Sequence, residues 1–233
     1  MQERMIIQIY AFTKTDEALA AAEMGVDHIG FVAGDYGLVP GELSFREARQ
    51  MADALFGKAV RVALTMATEV DEILRMAAAV EPDVIHVSTD LQAVDVEAME
   101  VLRRRLPDEA RLMKAIHVKD ESSIMDAQRF APVSDILLLD TKLAGMPGIG
   151  ATGRAHDWMI SRRIVENLQV QVILAGGLSP ENVDKAINTV QPWGVDSNTG
   201  TNLPGSAFEK DLGRVRAFVH AARAAAIPRI QEK

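Results

Sequence analysis

Val170-Gln171-Val172-Ile173-Leu174-Ala175-Gly176-Gly177 is an apolar run that stops abruptly at a pair of glycines. Further on, Gly194-Val195-Asp196-Ser197-Asn198-Thr199-Gly200 is a second short strand pattern that dissolves into small polar residues. Between them, Ser179-Pro180-Glu181-Asn182-Val183 reads as a helix start, with Ser179 at the N-cap and Pro180 at the first helical position. Strand, helix and strand in this order form a crossover unit, whose two strands run parallel. Both strands end in backbone that carries little side chain, so their N–H groups are able to converge on one anion. In an eight-stranded α/β barrel the loops after strands seven and eight frequently hold a phosphate in this way. Gly176, Gly177, Thr199 and Gly200, with Asn198 alongside, are therefore the expected phosphate-binding residues, acting mainly through main-chain N–H.

Working outward, the same alternation covers nearly the whole chain. Strand patterns fall at 6–11, 28–32, 59–64, 84–87, 112–116, 136–139, 170–174 and 194–196. Amphipathic helical patterns follow each of them, at 15–24, 44–55, 70–80, 93–105, 121–130, 157–168, 180–190 and 211–225. Eight such units in 233 residues favour closure into a single (β/α)8 barrel spanning residues 1–233. A doubly wound open sheet is the alternative, but no G-x-G-x-x-G follows the first strand. No linker, charge block or low-complexity segment divides the chain. The longest connection, residues 141–155, follows strand six and contains Gly145, Pro147, Gly148, Gly150 and Gly153. It reads as a lid over the barrel mouth.

Composition narrows the chemistry. There is no cysteine, so disulfides, thiolate metal sites and thiol nucleophiles are ruled out. A net charge of −8 argues against nucleic acid and anionic membranes as partners, yet it leaves a phosphorylated small molecule open. No apolar run approaches the ~20 residues that span a bilayer, and Met1-Gln2-Glu3-Arg4-Met5 lacks a signal-peptide pattern. A cytoplasmic location is expected. No cofactor is implied, and with Glu17, Asp90 and Asp140 scattered, no metal site is expected either. A monomer or homodimer is compatible with everything read so far.

Several stretches, in order and at consistent spacing, carry a family resemblance. They are Asp16-Glu17-Ala18-Leu19-Ala20-Ala21-Ala22, Lys114-Ala115-Ile116, Leu138-Leu139-Asp140, Thr152-Gly153-Arg154 with Asp157-Trp158, Leu174-Ala175-Gly176-Gly177-Leu178 with Pro180-Glu181-Asn182-Val183, and Gly194-Val195-Asp196 before Gly200. On these the chain resembles the phosphoribosylanthranilate isomerase family, a barrel enzyme of tryptophan synthesis, over nearly its full length. The resemblance implies an Amadori rearrangement of an aminated ribose phosphate. A carboxylic acid protonates the ring oxygen, the ring opens to an iminium, and a thiolate removes the neighbouring carbon's proton. Asp140 matches the acid. Arg154 falls within one of the matching stretches.

Four departures fall at strand ends. The family's first strand ends Lys-Ile-Cys-Gly-Leu-Thr, whereas this chain reads Gln8-Ile9-Tyr10-Ala11-Phe12-Thr13, so Tyr10 stands at the thiolate position. Residues 34–44 replace a Pro-Arg-Tyr-Val-Ser-like segment and contain no arginine but two acids, Asp35 and Glu42. On strand four a Gln-Leu-His-Gly-Asp-Glu pattern becomes His86-Val87-Ser88-Thr89-Asp90-Leu91, with His86 and Ser88 on one inward-facing parity. His117 stands where an arginine is common. These changes lead to the expectation of an isomerase-type enzyme that keeps the phosphate grip and the acid but takes a substrate other than phosphoribosylanthranilate.

His86 is the expected replacement base, since an unperturbed imidazole titrates near neutrality. Tyr10, with an ordinary pKa of ~10, suits volume filling or a hydroxyl contact better than proton abstraction. Gln8, Ser88, His117 and Arg154 are the expected substrate contacts. A genuine phosphoribosylanthranilate isomerase with an unusual base, a lyase or epimerase on the same scaffold, and a non-catalytic sugar-phosphate-binding relative remain as alternatives.

Overall fold

The computed structural model describes residues 4–34, 37, 39, 41–141 and 157–226. Eight strands are each followed by a helix: β1 Ile6–Ile9, α1 Thr15–Glu23, β2 His28–Val32, α2 Phe45–Leu55, β3 Val60–Thr65, α3 Val70–Val80, β4 Val84–Val87 and α4 Val96–Arg105. The second half repeats the order with β5 Arg111–His117, α5 Ser122–Phe130, β6 Ile136–Asp140, α6 Trp158–Asn167, β7 Gln171–Leu174, α7 Val183–Val190, β8 Gly194–Ser197 and α8 Leu212–Ala225. All strands pair in parallel with their sequence neighbours, and β8 returns to β1 with Gln8 opposite Asp196, closing the barrel. The (β/α)8 expectation therefore holds.

Strand alternation sorts side chains into two cores. Ile7, Ile9, Ile29, Phe31, Ala63, Ile85, Leu137, Leu139 and Val195 point outward and pack under the helices. In α2 the buried Phe45, Ala48, Met51, Ala52 and Leu55 recur at three- and four-residue spacing, which places them on one face toward the sheet. The inward set, Tyr10, Val32, Val62, Val84, Met113, Ile136, Leu138, Ile173 and Ala175, fills the barrel itself.

Helix starts follow from local chemistry. Ser44 caps α2 through a reciprocal capping box with Glu47, and Asp95, Asp157 and Asp211 cap α4, α6 and α8 with their carboxylates. The start of α7 differs from its expected position at Pro180. Residues 180–182 form a turn and the helix begins at Val183, because Asn182 spends its side chain elsewhere. Ser179 still serves that turn, its hydroxyl accepting from the N–H of Glu181 at 3.2 Å.

The opposite end of the barrel is laced by a repeated device. Asp27, Asp83 and Asp135 each immediately precede an even-numbered strand, β2, β4 or β6. Each carboxylate accepts the N–H of the second residue of the preceding strand: Ile7 at 2.8 Å, Arg61 at 2.8 Å and Leu112 at 2.6 Å. Arg223, Arg61 and Arg103 then pair with the same three carboxylates. This closes the barrel end opposite the carboxyl ends of the strands, where such contacts serve stability.

Candidate active site

The carboxyl ends of the strands bring four groups of residues together. The first is the glycine cradle. Gly176 and Gly177 have φ of +88° and +66°, a left-handed conformation in which glycine meets no Cβ penalty. Among the described residues, no acceptor is bonded to either N–H. Asn182 fixes this turn from beneath, its Nδ2 donating to the Gly177 carbonyl at 3.0 Å and its Oδ1 accepting from Ser179 N–H at 2.8 Å. Gly200 lies against the same turn. A Cβ there would stand 2.1 Å from the Leu178 carbonyl oxygen, so only glycine permits the two loops to approach this closely. Ser197 adds a 2.7 Å hydrogen bond to the same carbonyl. Thr199, Gly200 and Thr201 form a short 3-10 turn directly after Asn198.

The side chain of Asn198, expected alongside the phosphate group, makes contacts of its own. Its Oδ1 accepts from Ala11 N–H at 3.0 Å and from Lys210 Nζ at 3.2 Å, so its side chain ties the end of β1 to the loop after β8. Lys210, 4% exposed, donates also to the carbonyls of Tyr10 and Asn198 and to Asn202 Oδ1. Burial lowers its pKa to about 7.

The second group is the Tyr10–His86 pair. Tyr10 follows β1 and is held at its N–H by the Ser197 carbonyl. Its ring lies over Gly30 of β2, where a Cβ would come within 2.4 Å of the ring carbons. The hydroxyl shares a 2.9 Å hydrogen bond with His86 Nδ1 on β4. The ring thus crosses part of the barrel interior. Burial pushes the Tyr10 pKa well above its ordinary value, with the nearby Asp196 charge adding to the shift. Burial also drives His86 down to about 3, and Lys114 contributes further. His86 therefore faces inward, as its parity implied, but as a neutral imidazole whose buried Nε2 has no hydrogen-bond partner among the described residues. An imidazole with so low a pKa is a weak proton acceptor.

Third are the carboxyl groups. Asp140 ends β6, is 7% exposed, and accepts the Thr141 N–H at 2.7 Å. Asp196, on β8, shares the inward face, and Gln8 Nε2 donates to its Oδ1 at 3.2 Å. Burial, followed by repulsion from Asp140, raises Asp196 to about 8. Gln8 in turn is bonded through Oε1 to His28 Nδ1 at 3.2 Å. Desolvation depresses His28 to about 4.

Of the remaining expected contacts, Ser88 is buried just past β4, and His117 is the last residue of a β5 longer than its apolar pattern suggested. His117 pairs across to Asp140, which places it at the mouth. Gln8 is fully buried one layer below, where it contacts Asp196. Arg154 lies outside the described residues, as does the expected lid apart from Thr141. In the loop at 34–44, Leu43 N–H donates to the Val32 carbonyl at 2.9 Å and Gly34 N–H to the Leu43 carbonyl at 3.0 Å, which brings Leu43 back to the end of β2. Asp35 is outside the described residues.

Three residues escaped the sequence reading. Asp196 carried a signal, a carboxylate at a strand's C-terminal end. Lys210 and Asn202 carried none, because a lysine in a loop gives no sign that it will be buried. Lys114 is a related case. It points outward from β5 into the sheet–helix layer, donates to the Thr89 carbonyl at 2.8 Å, and burial lowers it to about 7.

Comparison with known proteins agrees with this architecture. The profile of the N-(5′-phosphoribosyl)anthranilate (PRA) isomerase family matches residues 9–221. The chain is 33% identical to N-(5′-phosphoribosyl)anthranilate isomerase of Haloferax volcanii, over 94% of this chain and 93% of that protein. It is 35% identical to the enzyme of the same name from Pseudomonas aeruginosa, over 93% and 94%. The crystal structure of phosphoribosyl anthranilate isomerase from Thermotoga maritima superposes with a TM-score of 0.77 at 26% identity, covering 94% of this chain and 99% of that one. The expected switch to another substrate gains no support from these relatives. With the profile spanning most of its length and relatives above 30% identity along more than nine-tenths of it, the chain belongs to the phosphoribosylanthranilate isomerase family.

Proposed function

We propose that this chain isomerises N-(5′-phosphoribosyl)anthranilate, opening the ribose ring and moving a proton between neighbouring carbons without a thiolate. The observation that carries the reading is the placement of Asp140 at the barrel mouth, on β6, next to the strand whose glycine pair begins the anion cradle. Gly176, Gly177, Thr199 and Gly200 surround the phosphate with main-chain N–H groups, which need no lysine and suit a chain of net charge −8. Holding the phosphate fixes the ribose ring relative to Asp140, and such fixation removes a large part of the entropic barrier.

Asp140 supplies the proton to the ring oxygen. His86, expected as the partner base, is instead the hydrogen-bond partner of Tyr10, and the pair shapes the cavity floor. Ser88 and His117 line the mouth from β4 and β5 and contact the substrate's hydroxyls or its aryl half. Arg154 belongs to the same set as an expected contact.

The test is a direct assay with phosphoribosylanthranilate, backed by complementation of a tryptophan auxotroph that lacks this isomerase. Turnover in the wild type and its loss by at least 10²-fold in Asp140→Asn, with phosphate affinity kept, are expected. A wild type that binds ribose 5-phosphate yet neither turns over the substrate nor complements would overturn this function in favour of a sugar-phosphate-binding role.

A further inference from the structure

The proposed function leaves one half of the acid–base work unassigned. The family resemblance gives that half to a thiolate, and this chain has no cysteine. The replacement must face the same cavity as Asp140, and it must change protonation state near neutral pH.

We propose that Asp196 and Asp140 form a carboxyl pair holding one proton between them, and that this pair performs both the acid and the base step. The inference rests on the isomerase reading above and adds a catalytic residue to it. β6 and β8 flank β7, so the two strands stand about 10 Å apart along the barrel wall, at ~4.8 Å per neighbour. Both side chains point inward, where that separation narrows. Between them Ala175, the residue that follows β7, faces inward with only a methyl group.

The surroundings favour a shared proton. Tyr10 and Gln8 face Asp196 from β1, Asp140 from β6, and Lys210 from the loop after β8. Lys210 directs its hydrogen bonds to Tyr10, Asn198 and Asn202 rather than to Asp196. The family's lysine at position 8 is here Gln8, a neutral amide, so the strand beside Asp196 supplies a hydrogen bond without a positive charge. His28 holds that amide from β2 and fixes its donor end toward Asp196. Loss of the cysteine at position 10 and of the cation at position 8 thus occur together. One removes the thiolate, and the other lets a carboxylic acid stay protonated in its stead. The elevated pKa of Asp196, about 8, agrees with this arrangement. Because the Asp140 charge bears on Asp196, the titration belongs to the two carboxyls together rather than to either residue.

The proton balance is complete within the pair. Its single proton goes to the ring oxygen as the bond from that oxygen to the first sugar carbon breaks, leaving an iminium and two carboxylates. One carboxylate then takes the proton from the second carbon, whose C–H electrons form the carbon–carbon double bond as the iminium is neutralised. The pair ends with one proton, as it began, and the enol relaxes to the ketone.

The decisive experiment is a 13C NMR titration of the aspartate carboxyl carbons in the ligand-free protein, for wild type, Asp140→Asn, Asp196→Asn and Gln8→Lys. One carboxyl is expected to titrate near 8, to vanish in Asp196→Asn and to move down in Asp140→Asn. In Gln8→Lys it should fall by two or more pH units. If Gln8→Lys does not fold, Gln8→Met, which removes the hydrogen bond without adding charge, should move it up instead. A wild-type Asp196 that titrates in the ordinary carboxylate range, or one indifferent to Asp140→Asn, overturns the pair. Retention of turnover within threefold in Asp196→Asn overturns its catalytic role. A wild type inactive on phosphoribosylanthranilate, but with the coupled titration intact, sinks the substrate reading and leaves the pair standing.

Discussion

Replacing Gly30 by alanine should be costly only while Tyr10 is present. An alanine Cβ at position 30 would sit 2.4 Å from the Tyr10 ring carbons, against an ordinary carbon–carbon contact of 3.4 Å or more. The ring must therefore retreat by about 1 Å. Its hydroxyl lies 2.9 Å from His86 Nδ1, so the retreat stretches that hydrogen bond beyond useful range. Overpacking of this kind costs about 1–3 kcal/mol. Leaving a buried hydroxyl and a buried imidazole nitrogen without each other adds about 1–3 kcal/mol. Gly30→Ala alone should thus destabilise the protein by about 2–6 kcal/mol, a substantial share of the 5–15 kcal/mol typical of a domain.

In a Tyr10→Cys background the ring and its hydrogen bond are already gone. The same Gly30→Ala substitution should then cost below about 1 kcal/mol, because the methyl group enters vacated space. The two positions should show a coupling of about 1 kcal/mol or more in a double-mutant cycle. Urea unfolding followed by circular dichroism, with m-values compared across all four proteins, measures it. Additive behaviour within about 0.5 kcal/mol would refute the placement of the tyrosine ring over β2.

Gly200→Ala should weaken binding of inorganic phosphate or ribose 5-phosphate by tenfold or more in calorimetric titration. A Cβ 2.1 Å from the Leu178 carbonyl forces the loops after β7 and β8 apart, and a displacement near 1 Å suffices for such losses. Unchanged affinity would show that the loops do not share one anion. His86→Gln should flatten the acid side of the stability curve. Burial holds His86 near 3, against ~6.5 for a free imidazole, so between those values the unfolded chain binds the extra proton. Wild-type stability therefore falls as pH drops through this window, by at most about 1.4 kcal/mol per pH unit from this residue. Denaturant midpoints at pH 4, 5 and 7 check it, and parallel curves for the two proteins would mean that His86 is not held neutral by the fold.

The architecture was legible in the sequence because it rests on local periodicity. Apolar runs of four to seven residues alternating with helical faces specify parallel crossovers, and eight of them in this length close into a barrel. The capping residues Ser44, Asp95, Asp157 and Asp211 announce helix starts through chemistry that reaches only two or three residues. Alternation also told correctly that His86 faces inward, and the position of Asp140 at a strand end marked it as a mouth residue. Period two, however, says which side of the wall a residue occupies and nothing about what stands opposite.

That second question was decided by closure alone. Tyr10 meets His86 across 76 residues of sequence, Gln8 meets Asp196 across 188, and Lys210 reaches the Tyr10 carbonyl across 200. None of these distances leaves a mark in local pattern, because the partners become neighbours only when β8 pairs with β1. The same closure removed water from His86, Asp196 and Lys210 and so set their charge states. A base expected from the ordinary pKa of histidine became a neutral imidazole, while an aspartate read as part of a strand became a titrating group. Residue types and spacing gave the wall of the barrel, but desolvation inside it is a property of the assembled wall and chose which groups hold a proton there.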